Sequence, residues 1–308
     1  VPMSQSTHTH THTHTHTQTH MHTPTQTTPV LQHVLAPAKL NLFLHITAQR
    51  ADGYHELQSV FTLIDWFDVL NFELSDSPQI KRIDLNRALP ADDLIVKAAR
   101  LLQHVSQTKL GATIAIEKNI PAQAGMGGGS SDAAATLLAL NQLWGLKWPV
   151  KKLLPLGLQL GADVPFFLFG QNAFAQGIGE QLTPIVVPRA QFLIVKPLAG
   201  LETRLIFSDP TLQRSTKTAT LLDFADAVFD FGRNDLEPVA QKLCPEMNRA
   251  MDWIKSLGLS PKMTGSGSAV FAKLDRPFEL PKAPEDWQLK VCSNLEIHPL
   301  NEWISLDD

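Results

Sequence analysis

The residues best suited to chemistry lie in one run, Pro121-Ala122-Gln123-Ala124-Gly125-Met126-Gly127-Gly128-Gly129-Ser130-Ser131-Asp132, which leads into Ala133-Ala134-Ala135. Backbone without Cβ atoms can turn successive N–H groups onto one anion, through left-handed conformations that a side chain penalises. Gly125 and Gly127 to Gly129 supply that backbone, and Met126 interrupts the run without ending it. Ser130, Ser131 and Asp132 offer N-cap chemistry to a helix that Leu137, Leu138, Asn141 and Trp144 continue as far as Gly145. An anion in the loop then faces a helix N-terminus, where dipole attraction of ~0.3–1 kcal/mol is outweighed by hydrogen bonds to charge of about 1.5–3 kcal/mol each. Ile114 and Ile116 alternate with Thr113 and Ala115 and predict a strand just before the loop, so the run reads as a phosphate cradle rather than a linker. No G-x-x-x-x-G-K-[ST] string is present, and Gly125-x-Gly127-x-x-Ser130 lacks the last position of the dinucleotide fingerprint.

The elements that must position this loop follow from periodicity. Val34 to Leu44 alternates apolar residues with Lys39 and Asn41, which predicts a strand presenting two polar side chains. Asp52-Gly53 signals a hairpin turn, with Tyr54, the only tyrosine, and His55 just beyond it. Val60 to Leu63 and Val69 to Leu74 read as two further strands, and Asp92 to Val105 as a helix opened by two acids. Lys151 to Leu160 is amphipathic and leads to Gly161-Ala162-Asp163-Val164-Pro165, where Pro165 is expected to push Val164 into an extended conformation and leave Asp163 at a bend. Gly170 to Glu180 reads as a strand and turn. Composition shifts at Pro184 to Pro188 before a new strand, Phe192 to Val195, which sets a domain boundary there: 30–187 and 188–308. Beyond it come a helix after Pro238, another from Glu246 to Leu257, a loop Met263 to Ser268 entering the strand Ala269 to Leu274, and a closing strand Val291 to Ile297. The irregular alternation of strands and helices, with hairpin signals, favours α+β over a doubly wound sheet.

The chain has 308 residues, 44% of them hydrophobic, enough for one large or two medium domains. A net charge of -4 gives no basic face for nucleic acid and points to small-molecule partners. The most apolar window, Leu153 to Phe169, is broken by Gly157, Gly161, Asp163 and Pro165, so no membrane span is expected. Cys244 and Cys292 stand far apart in no ligand spacing, which suggests reduced thiols and a cytoplasmic location. Residues 1–29 alternate Thr, His, Gln and Pro, bury nothing, and read as a disordered tail without a targeting signal. Oligomeric state is not encoded in any of these features.

Five blocks together, Pro37-Ala38-Lys39-Leu40-Asn41-Leu42, Ala51-Asp52-Gly53-Tyr54-His55-Glu56-Leu57, Pro121 to Ala135, Gly161-Ala162-Asp163-Val164-Pro165 and Met263-Thr264-Gly265-Ser266-Gly267, closely resemble the GHMP kinase superfamily. The second and fourth are similar to its branch acting on 4-diphosphocytidyl-2-C-methyl-D-erythritol. The resemblance implies a two-domain α+β fold, an N-terminal domain like the second domain of ribosomal protein S5 and a ferredoxin-like C-terminal domain, with the active cleft between them. It implies phosphorylation of the acceptor's 2-hydroxyl by ATP with Mg²⁺, within the non-mevalonate route to isoprenoid precursors. Another small alcohol, such as homoserine or mevalonate, and a silent nucleotide-binding role are the alternatives. By the same resemblance, Asp163 is the hydroxyl-facing base and Lys39 its partner. Tyr54 and His55 hold the cytosine, Asn41 the methylerythritol end, and Thr203 a further substrate contact. Lys118, Pro121, Gly125, Met126, Gly127, Gly128, Gly129, Ser130 and Ser131 take the nucleotide, with Ser130 or Ser131 near the metal. Asp132 replaces a commoner Asn and is expected to repel triphosphate unless it caps the helix or helps to hold the metal.

Overall fold

The computed structural model describes residues 27–304, so most of the Thr/His tail lies outside the described residues. Two sheets organise the chain. The first is built around a long hairpin of β1 (Val30–Gln49) and β2 (His55–Ser75), whose turn carries Gly53 at φ 89°. β2 is one strand where two were expected. Asp65-Trp66-Phe67-Asp68 breaks the apolar alternation, yet the ladder to β1 runs through it from His55 to Glu73.

β3 (Ile80–Asp84) precedes α1 (Leu94–Ser106) and pairs in parallel with β4 (Gly111–Glu117), the strand expected before the glycine loop. Asp93 caps α1 by accepting from the Val96 N–H at 3.2 Å. After the loop come α2 (Gly128–Leu143), α3 (Val150–Leu160), α4 (Val164–Phe169), β5 (Ala173–Gln176) and β6 (Gln181–Pro184). On its second edge β2 pairs with β4 along one half and with β5 along the other.

The second sheet contains β7 (Gln191–Lys196), then, after α5 (Thr203–Phe207), α6 (Leu221–Ala225), α7 (Glu237–Leu243) and α8 (Pro245–Ser256), the strands β8 (Lys262–Met263), β9 (Val270–Leu274) and β10 (Gln288–Ser293). Its order, β10-β7-β9-β8, is antiparallel throughout. Fourth, first, third, second is the ferredoxin-like order, although the connection from β9 to β10 holds no helix. The closing strand therefore ends at Ser293, earlier than Ile297, and the chain beyond it leaves this sheet.

Three apolar clusters hold the layers. α1 to α4 cover one face of the first sheet through Phe72, Ile95, Leu102, Leu137 and Phe166. Leu40, Phe43, Ile64, Phe192, Ile194 and Phe271 pack between the two sheets. α7 and α8 cover the far face of the second through Val239, Met247, Met251 and Ile254. α2 is buried from Ser131 to Asn141, as a helix surrounded by protein must be when its Ala-rich sequence offers no polar face. Among the described residues no helix is long and apolar enough to cross a membrane.

Candidate active site

The glycine loop enters α2 by a different cap from the one expected. Ser130, Ser131 and Asp132 lie inside the helix, and Gly127, at φ 72°, occupies the cap with no side-chain hydrogen bond. A left-handed cap is open to glycine at no steric cost. It leaves the first amides of α2 without intrahelical acceptors, and Gly128, Gly129 and Ser130 line the adjoining cleft. Ser131 does not line it. Its N–H donates to the Gly127 carbonyl at 2.8 Å, and its buried hydroxyl has no partner.

The loop is braced from the second sheet. Ser268 and Ala269 donate backbone N–H groups to the Gln123 and Ala124 carbonyls, both at 3.1 Å. A Cβ on Gly125 would stand 2.2 Å from the Thr264 carbonyl oxygen, and one on Gly265 would stand 2.6 Å from the Gly125 oxygen. Two bare backbones thus cross where side chains cannot fit.

β1 delivers Lys39 and Asn41 to the same place. The Lys39 ammonium, 3% exposed, donates to the Gly125 carbonyl at 2.9 Å and to Asn41 Oδ1, and lies 3.8 Å from Asp163 Oδ2. Burial lowers the Lys39 pKa from its ordinary value, and the Asp163 charge opposes that shift. Asp163 stands at the cap position of α4, but its carboxylate caps nothing and stays about one-third exposed. Val164, expected to be extended, instead opens α4, because proline is tolerated in a helix's first turn. Asn41 is held in place: its Nδ2 donates to Ser59 Oγ at 2.8 Å, and its N–H to Thr264 Oγ1 at 3.0 Å.

Lys118 sits at the edge of this cleft, held between Asp132 (2.6 Å) and Asp68. Burial alone would lower its pKa, yet the two carboxylates outweigh burial and raise it. Burial, with Asp68 beside it, raises Asp132 well above the usual carboxylate range, and Lys118 only partly opposes this. Asp132 lies inside α2 and does not cap it, and the side chain expected to repel triphosphate is bonded to the Lys118 ammonium.

Tyr54, 61% exposed, His55 and Thr203 line the same continuous cleft of about 1520 Å³, which also takes in Lys39, Asn41, Pro121, Met126 and Asp163. Thr203 Oγ1 lies 2.7 Å from Ser266 Oγ, which links α5 to the loop before β9. The structure thus brings the expected site residues together around one cavity, with the Ser131 side chain outside it.

The family described as GHMP kinases N terminal domain matches residues 93–171, and GHMP kinases C terminal matches residues 215–291. The chain belongs to the GHMP kinase family. A 4-diphosphocytidyl-2-C-methyl-D-erythritol kinase of Albidiferax ferrireducens is 58% identical over 277 residues, 90% of this chain and 96% of that one. One from Polaromonas naphthalenivorans is 57% identical, covering 89% and 96%. A crystal structure of 4-(cytidine 5'-diphospho)-2C-methyl-D-erythritol kinase is similar at a TM-score of 0.68 with 35% identity, covering 79% of this chain and 90% of that one. A homoserine kinase of Cytophaga hutchinsonii, at 17% identity and a TM-score of 0.63, shares the GHMP kinase fold alone.

Two residues of this GHMP kinase site escaped the sequence reading. Asp68 accepts the N–H groups of Asn119 (2.6 Å) and Ile120 (2.8 Å) besides Lys118, pinning the entry to the loop. An acid inside the otherwise apolar Trp66 to Leu70 was its available signal. Arg214, which donates its Nε–H to His55 Nε2 at 3.1 Å, had none, since it lies on a polar loop far along the chain.

Proposed function

We infer that the chain transfers the terminal phosphoryl group of ATP to 4-diphosphocytidyl-2-C-methyl-D-erythritol, at its 2-hydroxyl, in isoprenoid precursor synthesis. The observation that supports this most is the meeting of Lys39 and Asp163 at the mouth of the glycine loop, 3.8 Å apart although remote in sequence. Relatives at 54% to 58% identity over about nine-tenths of the chain carry that kinase's name, which disfavours homoserine or mevalonate as acceptor.

The free amides of Gly128, Gly129 and Ser130 receive the phosphates of ATP, with Gly125 and Gly127 giving the loop its shape. Pro121 and Met126 wall the cradle, and Lys118 orders it through α2. Asp163 orients the acceptor hydroxyl and takes its proton as the oxygen–phosphorus bond forms and the bond to ADP breaks. Lys39 holds the carboxylate and a phosphate oxygen in one line; such loose transfers depend chiefly on positioning and charge. Tyr54 stacks on the cytosine, worth roughly 1–3 kcal/mol for one base. His55 hydrogen-bonds the cytosine's edge, and Asn41 and Thr203 contact the rest of the acceptor.

Mg²⁺ fits this donor set. Ser130 is half-buried in the cleft with its hydroxyl unspent, and no cluster of three His, Cys, Asp or Glu exists among the described residues, as suits a cation held mostly by phosphates and water. When bound, Mg²⁺ supplies charge neutralisation at the phosphates. Purified protein with ATP and Mg²⁺ is expected to release ADP with the cytidyl acceptor and not with homoserine or mevalonate. Equal or better turnover of either simple alcohol would overturn the assignment.

A further inference from the structure

We propose that Arg214 is a positioning residue that fixes His55 as the tautomer protonated on Nδ1, so that the site selects a heterocycle offering an acceptor over one offering a donor. The proposal rests on the cytidyl reading above and names how that base is told from its uridyl counterpart.

A guanidinium has five donors and no acceptor. Its Nε–H stands 3.1 Å from His55 Nε2, so that nitrogen must present its lone pair and the ring proton must sit on Nδ1. Arg214 is itself locked. Its Nη groups donate to the carbonyls of Leu212 (3.1 Å), Phe207 (2.9 Å) and Asp209 (2.9 Å), leaving it no freedom to turn away. The Phe207 ring lies 5.0 Å from the imidazole and fixes its plane. His55 lines the cleft beside Tyr54, and its Nδ1 has no protein partner among the described residues. A fixed N–H donor there matches the bare N3 of cytosine and opposes the N3–H of uracil, and a site built around one hydrogen bond rejects its mismatch strongly.

Protonation would destroy the arrangement, because an imidazolium has no lone pair to offer Arg214. Burial lowers the His55 pKa, and the Arg214 charge lowers it further. Other nearby charges do not counter this: Arg50 and Asp52 in the turn pair with each other at 2.7 Å, and exposed Glu56 follows His55 on β2, where successive side chains alternate faces.

The test begins with wild-type turnover of the cytidyl acceptor; failure there defeats the functional reading and leaves the tautomer question standing. Nitrogen-15 NMR of the free protein then reports which imidazole nitrogen of His55 is protonated. Nδ1–H in the wild type and a mixture in Arg214→Met are expected, and Nε2–H in the wild type overturns the proposal. In kinetics, Arg214→Met raises KM for the cytidyl acceptor about tenfold, one hydrogen bond's worth. It leaves KM for ATP unchanged, narrows the cytidyl-over-uridyl preference, and moves the acid limb of kcat/KM up towards pH ~6.5. Since Arg214 also ties its own loop, the same change is made in His55→Asn. If Arg214 acts through His55, its loss there costs less than about twofold, whereas equal losses in both backgrounds mark a loop brace and refute the proposal.

Discussion

Lys39 and Asp163 form a pair 3.8 Å apart in which the carboxylate helps to keep a buried ammonium charged. A buried ammonium is costly without acceptors, and Asp163, Asn41 and the Gly125 carbonyl surround this one. On the proposed mechanism, Asp163→Asn keeps the shape but cannot take the acceptor's proton. Its kcat is expected to fall ~10²–10⁴-fold, the usual scale for a general base, with ATP affinity retained. Steady-state turnover beside ATP titration checks this, and a loss below about tenfold would remove Asp163 from the chemistry. Lys118 is likewise a buried ammonium held by carboxylates. One ammonium sits between two buried carboxylates, so Lys118→Met leaves both uncompensated and is expected to cost about 3–5 kcal/mol. Asp132→Asn keeps the neutral Lys118–Asp68 pair and should cost clearly less. Urea unfolding of the two variants compares them directly, and an equal loss would mean that Lys118 does not bridge both acids.

Among the elements, the glycine loop separates what spelling reveals from what it hides. That Gly125 to Gly129 forms a bare-backbone turn ahead of a helix was legible, because glycine enters left-handed backbone at no steric cost, as Gly125 and Gly127 do here. Which glycines are irreplaceable was not, since that depends on a loop more than a hundred residues away. Gly125 has φ 75° and the Thr264 carbonyl 2.2 Å from its absent Cβ, whereas Gly128 has no positive φ and meets only side chains, Ile120 at 3.0 Å and the Lys118 ammonium at 3.4 Å. Gly125→Ala should therefore lower both the unfolding midpoint and ATP affinity, by more than the ~1–2 kcal/mol of left-handed strain alone. Gly128→Ala should cost less on both measures. Thermal melts with and without ATP would settle the order, and a reversed ranking would contradict the crossed-backbone geometry. The continuity of β2 was hidden for a related reason. Asp68 looks like a break in apolar alternation, but it is buried because two backbone N–H groups and Lys118 satisfy it. The helices were legible where they are amphipathic, as α1, α3 and α8 are. The start of α2 was misread because serine and aspartate cap many helices, while here a glycine does so.

The whole molecule is closed by its last described segment. After β10 the chain leaves the second sheet and returns to the first: the Leu295 N–H donates to the Leu63 carbonyl at 2.8 Å, and the His298 N–H to the Gly170 carbonyl at 2.8 Å. Leu300 and Ile304 then join the core beneath α2 and α4. His298, 1% exposed, anchors this return by accepting the Leu300 N–H on Nδ1 at 3.0 Å, and its Nε2 finds no partner among the described residues. Burial pushes its pKa down to about 3. The unfolded chain, with an ordinary histidine value near 6.5, binds the extra proton between those two limits. Stability from this group is thus complete above pH ~6.5 and declines as pH falls towards 3, with a slope approaching ~1.4 kcal/mol per unit. Between pH 7 and pH 5 the wild type should lose about 2 kcal/mol through His298. His298→Gln can keep an acceptor for the Leu300 N–H but cannot titrate. Its absolute stability will differ, yet its loss over the same interval should be smaller by that amount. Other histidines titrate alike in both proteins and cancel from the comparison. Urea unfolding of each protein at the two pH values measures the difference, and parallel losses would show that His298 takes up its proton without opening the closure.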